Sequence, residues 1–348
     1  MKLMRNTVKV IILAVFTVLL LAACGNDNND NNSNNNSEST NNNTETNNKN
    51  NNENNTSENT ANQSDEDGDK LQVIGTFTII SDIVREIGGD KVEVHNLVPT
   101  GTDPHEYEPL PEDNKKVTDA DILFYNGMNL EGGEDGWFFR MIDSASQDED
   151  KVYSLTERVD PMYLTDDETQ EEEINPHTFI DPMVGIYMAE DMRDAFIEID
   201  PDNEAYYEER ADEYLDRLQA IHEDYEKRLG DIPEENKILV TSECAFQYML
   251  DRYGFEEACI WKVDTEENGS PQQIKELISF IEENNVPTLF VESNVDTRPM
   301  ETVSAESGVD IYEKPIYSDE IGEPGEEVDT YIKYLKYNID VISEALSE

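Results

Sequence analysis

From residue 70 to the end of the chain, short apolar runs alternate with segments of helical period. The runs that predict strands lie at 71–77, 92–98, 122–125, 152–155, 238–241, 258–263, 288–291 and 309–312. Apolar residues at spacings of three and four predict helices at 79–87, 137–144, 245–253, 271–283, 298–306 and 329–346. This alternation predicts an α/β fold of two lobes, each a mainly parallel sheet flanked by helices.

One segment between the two halves has a different pattern. Residues 203–229 contain no Gly or Pro, and Gly230 and Pro233 follow. A single apolar stripe runs along this segment, formed by Tyr207, Ala211, Tyr214, Leu218, Ile221, Tyr225 and Leu229. We therefore predict one rigid helix of about 40 Å over 202–230, joining an N-terminal lobe (70–201) to a C-terminal lobe (231–348), with a binding site between the lobes.

The first 24 residues have the pattern of a secretory signal. Lys2, Arg5 and Lys9 give a positive start, and the apolar run 8–23 ends in Leu-Ala-Ala before Cys24. The small residues before Cys24 resemble a lipoprotein signal, in which that cysteine is lipidated and becomes the N-terminus. This predicts a lipid anchor on the extracytoplasmic face of the cell membrane. The alternative is an ordinary signal peptide with a chance cysteine.

The next segment, 25–69, is too polar to bury a core. It contains 20 Asn among the 40 residues 25–64, with Ser, Thr and Glu filling most of the rest. We predict a disordered tether with a reach of roughly 35–40 Å. A merely tolerated low-complexity insert is the alternative.

The chain is strongly acidic. Its formal net charge is −55, and loss of the three signal-peptide cations (−55 − 3) leaves −58. Such a surface repels nucleic acid and attracts cations, so it excludes nucleic acid as a partner. Because the charge is spread along the whole chain, adaptation to high salt explains it better than steering towards one site.

The chain has only four histidines, and two of them share a context. His105 and His177 each follow a proline in a loop near a strand end, where α/β sheets place their ligands. The fixed proline ring orients each imidazole before a ligand arrives. We interpret His95 as a surface position on a strand and His222 as the solvated flank of the long helix.

Five stretches, in order, carry a resemblance to a known family. They are 101–109, 175–182, 241–246, 260–271 and 291–300. With the lipoprotein start they resemble the manganese-, zinc- or iron-binding lipoproteins of ABC importers, a group also described as adhesin-like. The resemblance covers nearly all of the chain after Lys70 and implies a metal held between the lobes by His105, His177, Glu243 and Asp296. It also implies a monomer that delivers the metal to an ABC permease and its ATPase.

The identity of the metal follows from the donor types. Two imidazoles and two carboxylates suit Mn2+, Fe2+ or Zn2+. Zinc-preferring relatives carry a third histidine where this chain has Glu243 and often a histidine-rich loop, whereas the loop 165–173 is acidic and has no histidine. We therefore favour Mn2+, with Zn2+ or Fe2+ uptake by the same mechanism as the alternative.

Two other functions compete with this interpretation. No His-Glu-x-x-His helix, nucleophile–histidine pair or Gly-rich phosphate loop occurs, which argues against an enzyme. Surface adhesion remains an alternative role for a tethered lipoprotein.

The two remaining cysteines leave two interpretations open. Cys244 and Cys259 are either bridged or two buried thiols, and Cys244, beside Glu243, is in principle a fifth donor.

Overall fold

The computed structural model describes residues 70–165, 172–262 and 269–347. The predicted signal peptide (1–24) with its lipidated Cys24 and the predicted tether (25–69) lie outside the described residues, as does most of the acidic loop 165–173. Within the described part, no helix is both long enough and apolar enough to span a bilayer.

The first lobe is built on a four-stranded parallel sheet with strand order β2-β1-β3-β4. Its strands are β1 (Leu71–Phe77), β2 (Val92–Val98), β3 (Ile122–Tyr125) and β4 (Val152–Ser154). The strand predictions for this lobe are confirmed to within one residue. Val73 in the central strand pairs with both Val94 and Ile122, and its side chain is fully buried. Helices cover both faces of such a sheet, which is why β1 and β3 in its middle are largely apolar, whereas the edge strand β2 carries polar residues.

The helices are α1 (Thr78–Gly88), α2 (Pro111–Asp119), α3 (Trp137–Ala145), α4 (Pro182–Ile199), α5 (Glu204–Gly230), α6 (Gln247–Tyr253), α7 (Pro271–Asn284), α8 (Arg298–Ser307) and α9 (Tyr331–Leu346). A short antiparallel hairpin, β5 (Tyr163–Thr165) and β6 (Glu172–Ile174), precedes α4. The sequence patterns did not predict α2, α4 or the hairpin.

The second lobe repeats the parallel arrangement in a less regular form. Strands β7 (Ile238–Glu243) and β8 (Glu256–Trp261) pair in parallel. A third segment lies beside β7 and extends this sheet. The N–H of Phe290 in that segment donates to the carbonyl of Val240 at 2.9 Å. The strands predicted at 288–291 and 309–312 are instead isolated parallel bridges, Leu289↔Ile311 and Glu292↔Ile316. Pro315, which has no N–H, interrupts this ladder.

The long helix α5 confirms the predicted connector. Its buried residues are the seven of the predicted stripe. They pack against α4, α1 and α9, and the hydroxyl of Tyr225 donates to the carbonyl of Leu335 at 2.7 Å. One uninterrupted helix therefore supports elements that precede and follow it in the sequence.

The chain also returns to the first lobe after the second sheet. The N–H of Tyr331, at the start of α9, donates to Asp82 at 2.8 Å, and its hydroxyl donates to the carbonyl of Phe179 at 2.6 Å. Ahead of α9, the N–H of Ile321 donates to Thr78 at 3.1 Å, and its carbonyl accepts from Thr100 at 3.0 Å. The segment between the second sheet and α9 is therefore bonded to the first lobe, and the lobe limits at 201 and 231 stay predictions.

Cys244 and Cys259 form a disulfide, with their Cα atoms 5.2 Å apart. It joins the residue after β7 to the middle of β8. The bridged alternative is therefore the correct one, and Cys244 is not a free thiol donor.

Candidate metal site

His105 lies in the loop that follows the carboxyl end of β2. Its N–H donates to the side chain of Asp103 at 2.7 Å, and the indole of Trp137 donates to the carbonyl of Pro104 at 2.8 Å. Farther along, the Tyr107 hydroxyl donates to Asp113 at 2.8 Å. These bonds on both sides of His105 hold a loop that has no regular structure of its own.

His177 is fully buried just before α4. The side chain of Asn175 accepts from its backbone N–H at 3.1 Å and lies 2.8 Å from its ring Nδ1. The side chain of Asn126, which follows β3, donates to the carbonyl of Pro176 at 2.9 Å. The ring is therefore held on its Nδ1 side, and its Nε2 faces the space between the lobes.

Glu243 is the last residue of β7 and is completely buried. Its N–H and that of Ser242 donate to the buried carboxylate of Glu292 at 2.9 and 3.2 Å. Among the residues that the structure describes, neither carboxylate oxygen of Glu243 receives a hydrogen bond. Burial, followed by the nearby carboxylates of Asp319 and Glu292, raises the pKa of Glu243 well above its usual range.

Asp319 supplies the second carboxylate. Its Oδ1 lies 3.2 Å from Nε2 of His177. The same Nε2 is 3.3 Å from Nε2 of His105 and 3.7 Å from Oε1 of Glu243. Burial tends to raise the pKa of Asp319, but the two imidazoles outweigh it and lower that pKa to about 2.

The predicted ligand Asp296 does not join this cluster, and the carboxylate that lies in its place is that of Asp319. Arg298, two residues farther on at the start of α8, binds the carboxylate of Asp296 through both its backbone and its guanidinium. Within the described part of the chain, the donor atoms of His105, His177 and Asp319 all lie within 4.8 Å of one another, and Glu243 lies beside this group, with its Oε1 3.7 Å from Nε2 of His177. The stretch 291–300 reaches the site through Glu292 and through Asn294, which contacts Asp319 and Ser318.

The arrangement has the chemistry of a divalent cation site. Two imidazoles and two carboxylates, from four separate segments, face one space, and only His105 is partly exposed. Two buried carboxylates side by side are costly without a positive charge between them. A divalent cation would neutralise both and give the unpartnered oxygens of Glu243 a partner, so the residues fit such an ion.

The buried carboxyl groups around the site predict an unusual pH dependence in metal-free protein. Burial raises the pKa of the fully buried Glu131 and Glu292 to about 7, and partial burial raises that of Glu257 to about 8. Such groups contribute stability below their ordinary pKa and lose it as pH rises through the folded-state value. We expect the free energy of unfolding, measured by urea titration with a chelator, to fall by a few kcal/mol between about pH 5 and about pH 8.

The variant Glu131→Gln serves as the control because it removes one of these groups outside the metal cluster. Its profile over the same pH range should be flatter than that of the wild type. A wild-type stability that rises from acidic to alkaline pH would contradict the assignment of raised pKa values to these buried groups.

Two α/β lobes, a single connecting helix and a buried nitrogen–oxygen donor set between them define a solute-binding protein for a metal ion. The sequence matches, over residues 73–345, the family described as zinc-uptake complex component A, periplasmic. The chain belongs to this family, whose members are substrate-binding components of metal transporters.

Named relatives are similar over most of their length. The metal ABC transporter substrate-binding lipoprotein SsaB of Streptococcus sanguinis is 44% identical over 81% of this chain and 91% of its own. The manganese ABC transporter substrate-binding lipoprotein PsaA of Streptococcus pneumoniae is 43% identical over 81% and 91%. Among solved structures, the periplasmic zinc-binding protein TroA of Treponema pallidum has a TM-score of 0.72 at 26% identity, covering 80% of this chain and 100% of that one.

A Mn-bound periplasmic metal-binding protein of Candidatus Liberibacter asiaticus has a TM-score of 0.70 at 25% identity, covering 80% of this chain and 99% of that one. These comparisons confirm the predicted family and the two-lobed α/β fold.

Proposed function

We propose that this protein binds Mn2+ on the extracytoplasmic face of the cell membrane and delivers it to the permease of an ABC importer. His105, His177, Glu243 and Asp319 are the proposed ligands. The observation that carries the proposal is the convergence of these four side chains, with both oxygens of Glu243 buried and unpartnered. Two buried carboxylates without a cation are costly, so binding of a cation at this site is favoured.

The choice of Mn2+ rests on the donor set and on the relatives. Two of the four donors are carboxylates, which bind through one or both oxygens and so allow more than four coordination positions. This suits Mn2+ better than a tetrahedral structural zinc site. Relatives at about 43% identity are named as manganese-transporter lipoproteins. Zn2+ is the second candidate, because TroA, with the same fold, is described as zinc-binding.

The proposed cellular setting follows from the lipoprotein relatives. We propose lipidation at Cys24, a tether over 25–69, and a monomer that docks on the permease, with the transporter's ATPase supplying the energy. Catalysis is not part of the proposal, since all four clustered side chains serve as ligands and none is left as a general base. Adhesion would need no such convergence of ligands and is not favoured by the geometry.

The direct test is elemental analysis of the full-length protein produced with equal Mn2+, Fe2+ and Zn2+ in the medium. We expect about one equivalent of bound metal per chain, and none in the double variant His105→Ala/Glu243→Ala. The variant His222→Gln, a histidine on α5 that contacts Tyr253, is the matched control and should keep the metal. Absence of metal from the wild type would contradict the proposal. Zn2+ as the main metal bound to the protein would favour the second candidate.

A further inference from the structure

The side chain of Asn175 joins the two halves of the site. Its Oδ1 accepts from the backbone N–H of His177 at 3.1 Å and lies 2.8 Å from the ring Nδ1. Its Nδ2 donates to the carbonyl of Cys244 at 2.8 Å and to the side chain of Gln247 at 3.1 Å. Cys244 directly follows Glu243, so one buried amide contacts the neighbourhood of a proposed ligand in each lobe.

These partners fix which way the amide points. A backbone N–H can only donate and a backbone carbonyl can only accept, so the oxygen of Asn175 must face His177 and its nitrogen must face Cys244. The ring Nδ1 of His177, 2.8 Å from that oxygen, must then carry a hydrogen and donate it. A neutral imidazole has one N–H, so Nε2 carries the lone pair.

The lone pair of Nε2 is directed at the remaining proposed ligands, Asp319, Glu243 and His105, at the distances given above. A metal ligand needs this lone pair, and the opposite tautomer would present a hydrogen to the cation instead. An amide fixes the ring without adding a third negative charge, so the charge of two carboxylates still balances that of one divalent ion.

We propose that Asn175 is a positioning residue that selects the Nδ1–H tautomer of His177 and so prepares it to bind metal. The nitrogen end of the amide is held by the second lobe, so the contact between the lobes reinforces the orientation that the backbone N–H of His177 already sets. This inference rests on the proposed function for its purpose, but the state of the ring can be measured without metal.

The experiment uses full-length protein with nitrogen-15 in its four histidines, and His177→Gln assigns the His177 signals. Long-range proton–nitrogen spectra of metal-free protein at about pH 8, above the ordinary histidine pKa, report which ring nitrogen is protonated. We expect Nδ1–H at His177 in the wild type and its loss in Asn175→Ala. Asn175→Asp keeps both acceptor contacts and should keep the Nδ1–H tautomer.

Mn2+ affinity is measured on the same proteins by calorimetric titration. Asn175→Ala should weaken binding roughly 10- to 100-fold, the usual effect of removing the partner of a ligating histidine. Asn175→Asp should bind more tightly than the alanine variant. The matched control Gln247→Ala removes the other partner of the amide nitrogen, together with a bond to the carbonyl of Tyr163, and should leave both the tautomer and the affinity nearly unchanged.

The inference is wrong if Asn175→Ala keeps the Nδ1–H tautomer, or if it binds Mn2+ as tightly as the wild type. If Asn175→Ala does not fold, the aspartate variant decides, and a protonated Nε2 in that variant overturns the inference. If the tautomer shifts as expected while the wild type binds no metal, the proposed function fails and the role of Asn175 in fixing the ring stands.

Discussion

Replacing Asp319 by asparagine is expected to weaken Mn2+ binding by at least about 100-fold, whereas the same replacement at Asp296 should change it by less than about threefold. Asparagine keeps the shape of the side chain but removes the negative charge that lies 3.2 Å from Nε2 of His177. The carboxylate of Asp296 accepts hydrogen bonds from Arg298 instead, and among the described residues it has no contact with the proposed ligands. A 100-fold loss corresponds to about 2.7 kcal/mol of binding free energy.

This pair of variants separates the two assignments of the fourth ligand. Calorimetric titration of both gives the affinities, and circular dichroism of the metal-free proteins checks that each is folded. A large loss in Asp296→Asn with wild-type binding in Asp319→Asn would restore the assignment made from the sequence. Equal, small effects in both would mean that the second carboxylate contributes little to binding.

Bound metal is expected to stabilise the folded protein by about 4 kcal/mol at a free concentration a thousand times its Kd. The physical reason is that the unfolded chain cannot assemble four ligands from distant segments, so the ion binds only the folded state. Thermal unfolding with added Mn2+, and again after addition of a chelator, measures this difference as a reversible shift in Tm.

Two controls limit the interpretation of that shift. The double variant His105→Ala/Glu243→Ala should show no change with Mn2+, and Ca2+ should shift the wild type far less, because a site with two imidazoles suits transition metals better. A Tm that responds equally to every divalent cation would indicate general screening of the acidic surface rather than a site.

The sequence predicted the parts of the fold that have a strong period. The stripe from Tyr207 to Leu229 matches the buried face of α5 residue for residue, because no Gly or Pro interrupts it. Helix α4 was missed, since it is buried on several sides and its apolar residues therefore show little amphipathic contrast. The hairpin β5–β6 was missed because three-residue strands are too short to show an alternation.

The structure brings together the predicted site residues that have a local signal in the sequence, and it places Asp319 beside them instead of the predicted Asp296. The Pro-His pairs at His105 and His177 and the strand end at Glu243 are visible in the sequence, and the structure brings these three residues together. Asp319 sits in irregular chain after Ile316, and its approach to the histidines depends on tertiary contacts. Its one local signal is a Ser-Asp pair directly after an apolar segment, which is a weak pattern in a chain with 80 acidic residues.

The contacts around Asp319 bear on how the two lobes are joined at the site. Asp319 belongs by sequence to the second half of the chain, yet two residues later Ile321 is bonded to Thr78 and Thr100 of the first lobe. On its other side, Asn294 of the second lobe donates to the carboxylate of Asp319 itself. This short segment is therefore fastened to both lobes, so a cation bound by Asp319 would strengthen a junction that the metal-free fold already contains.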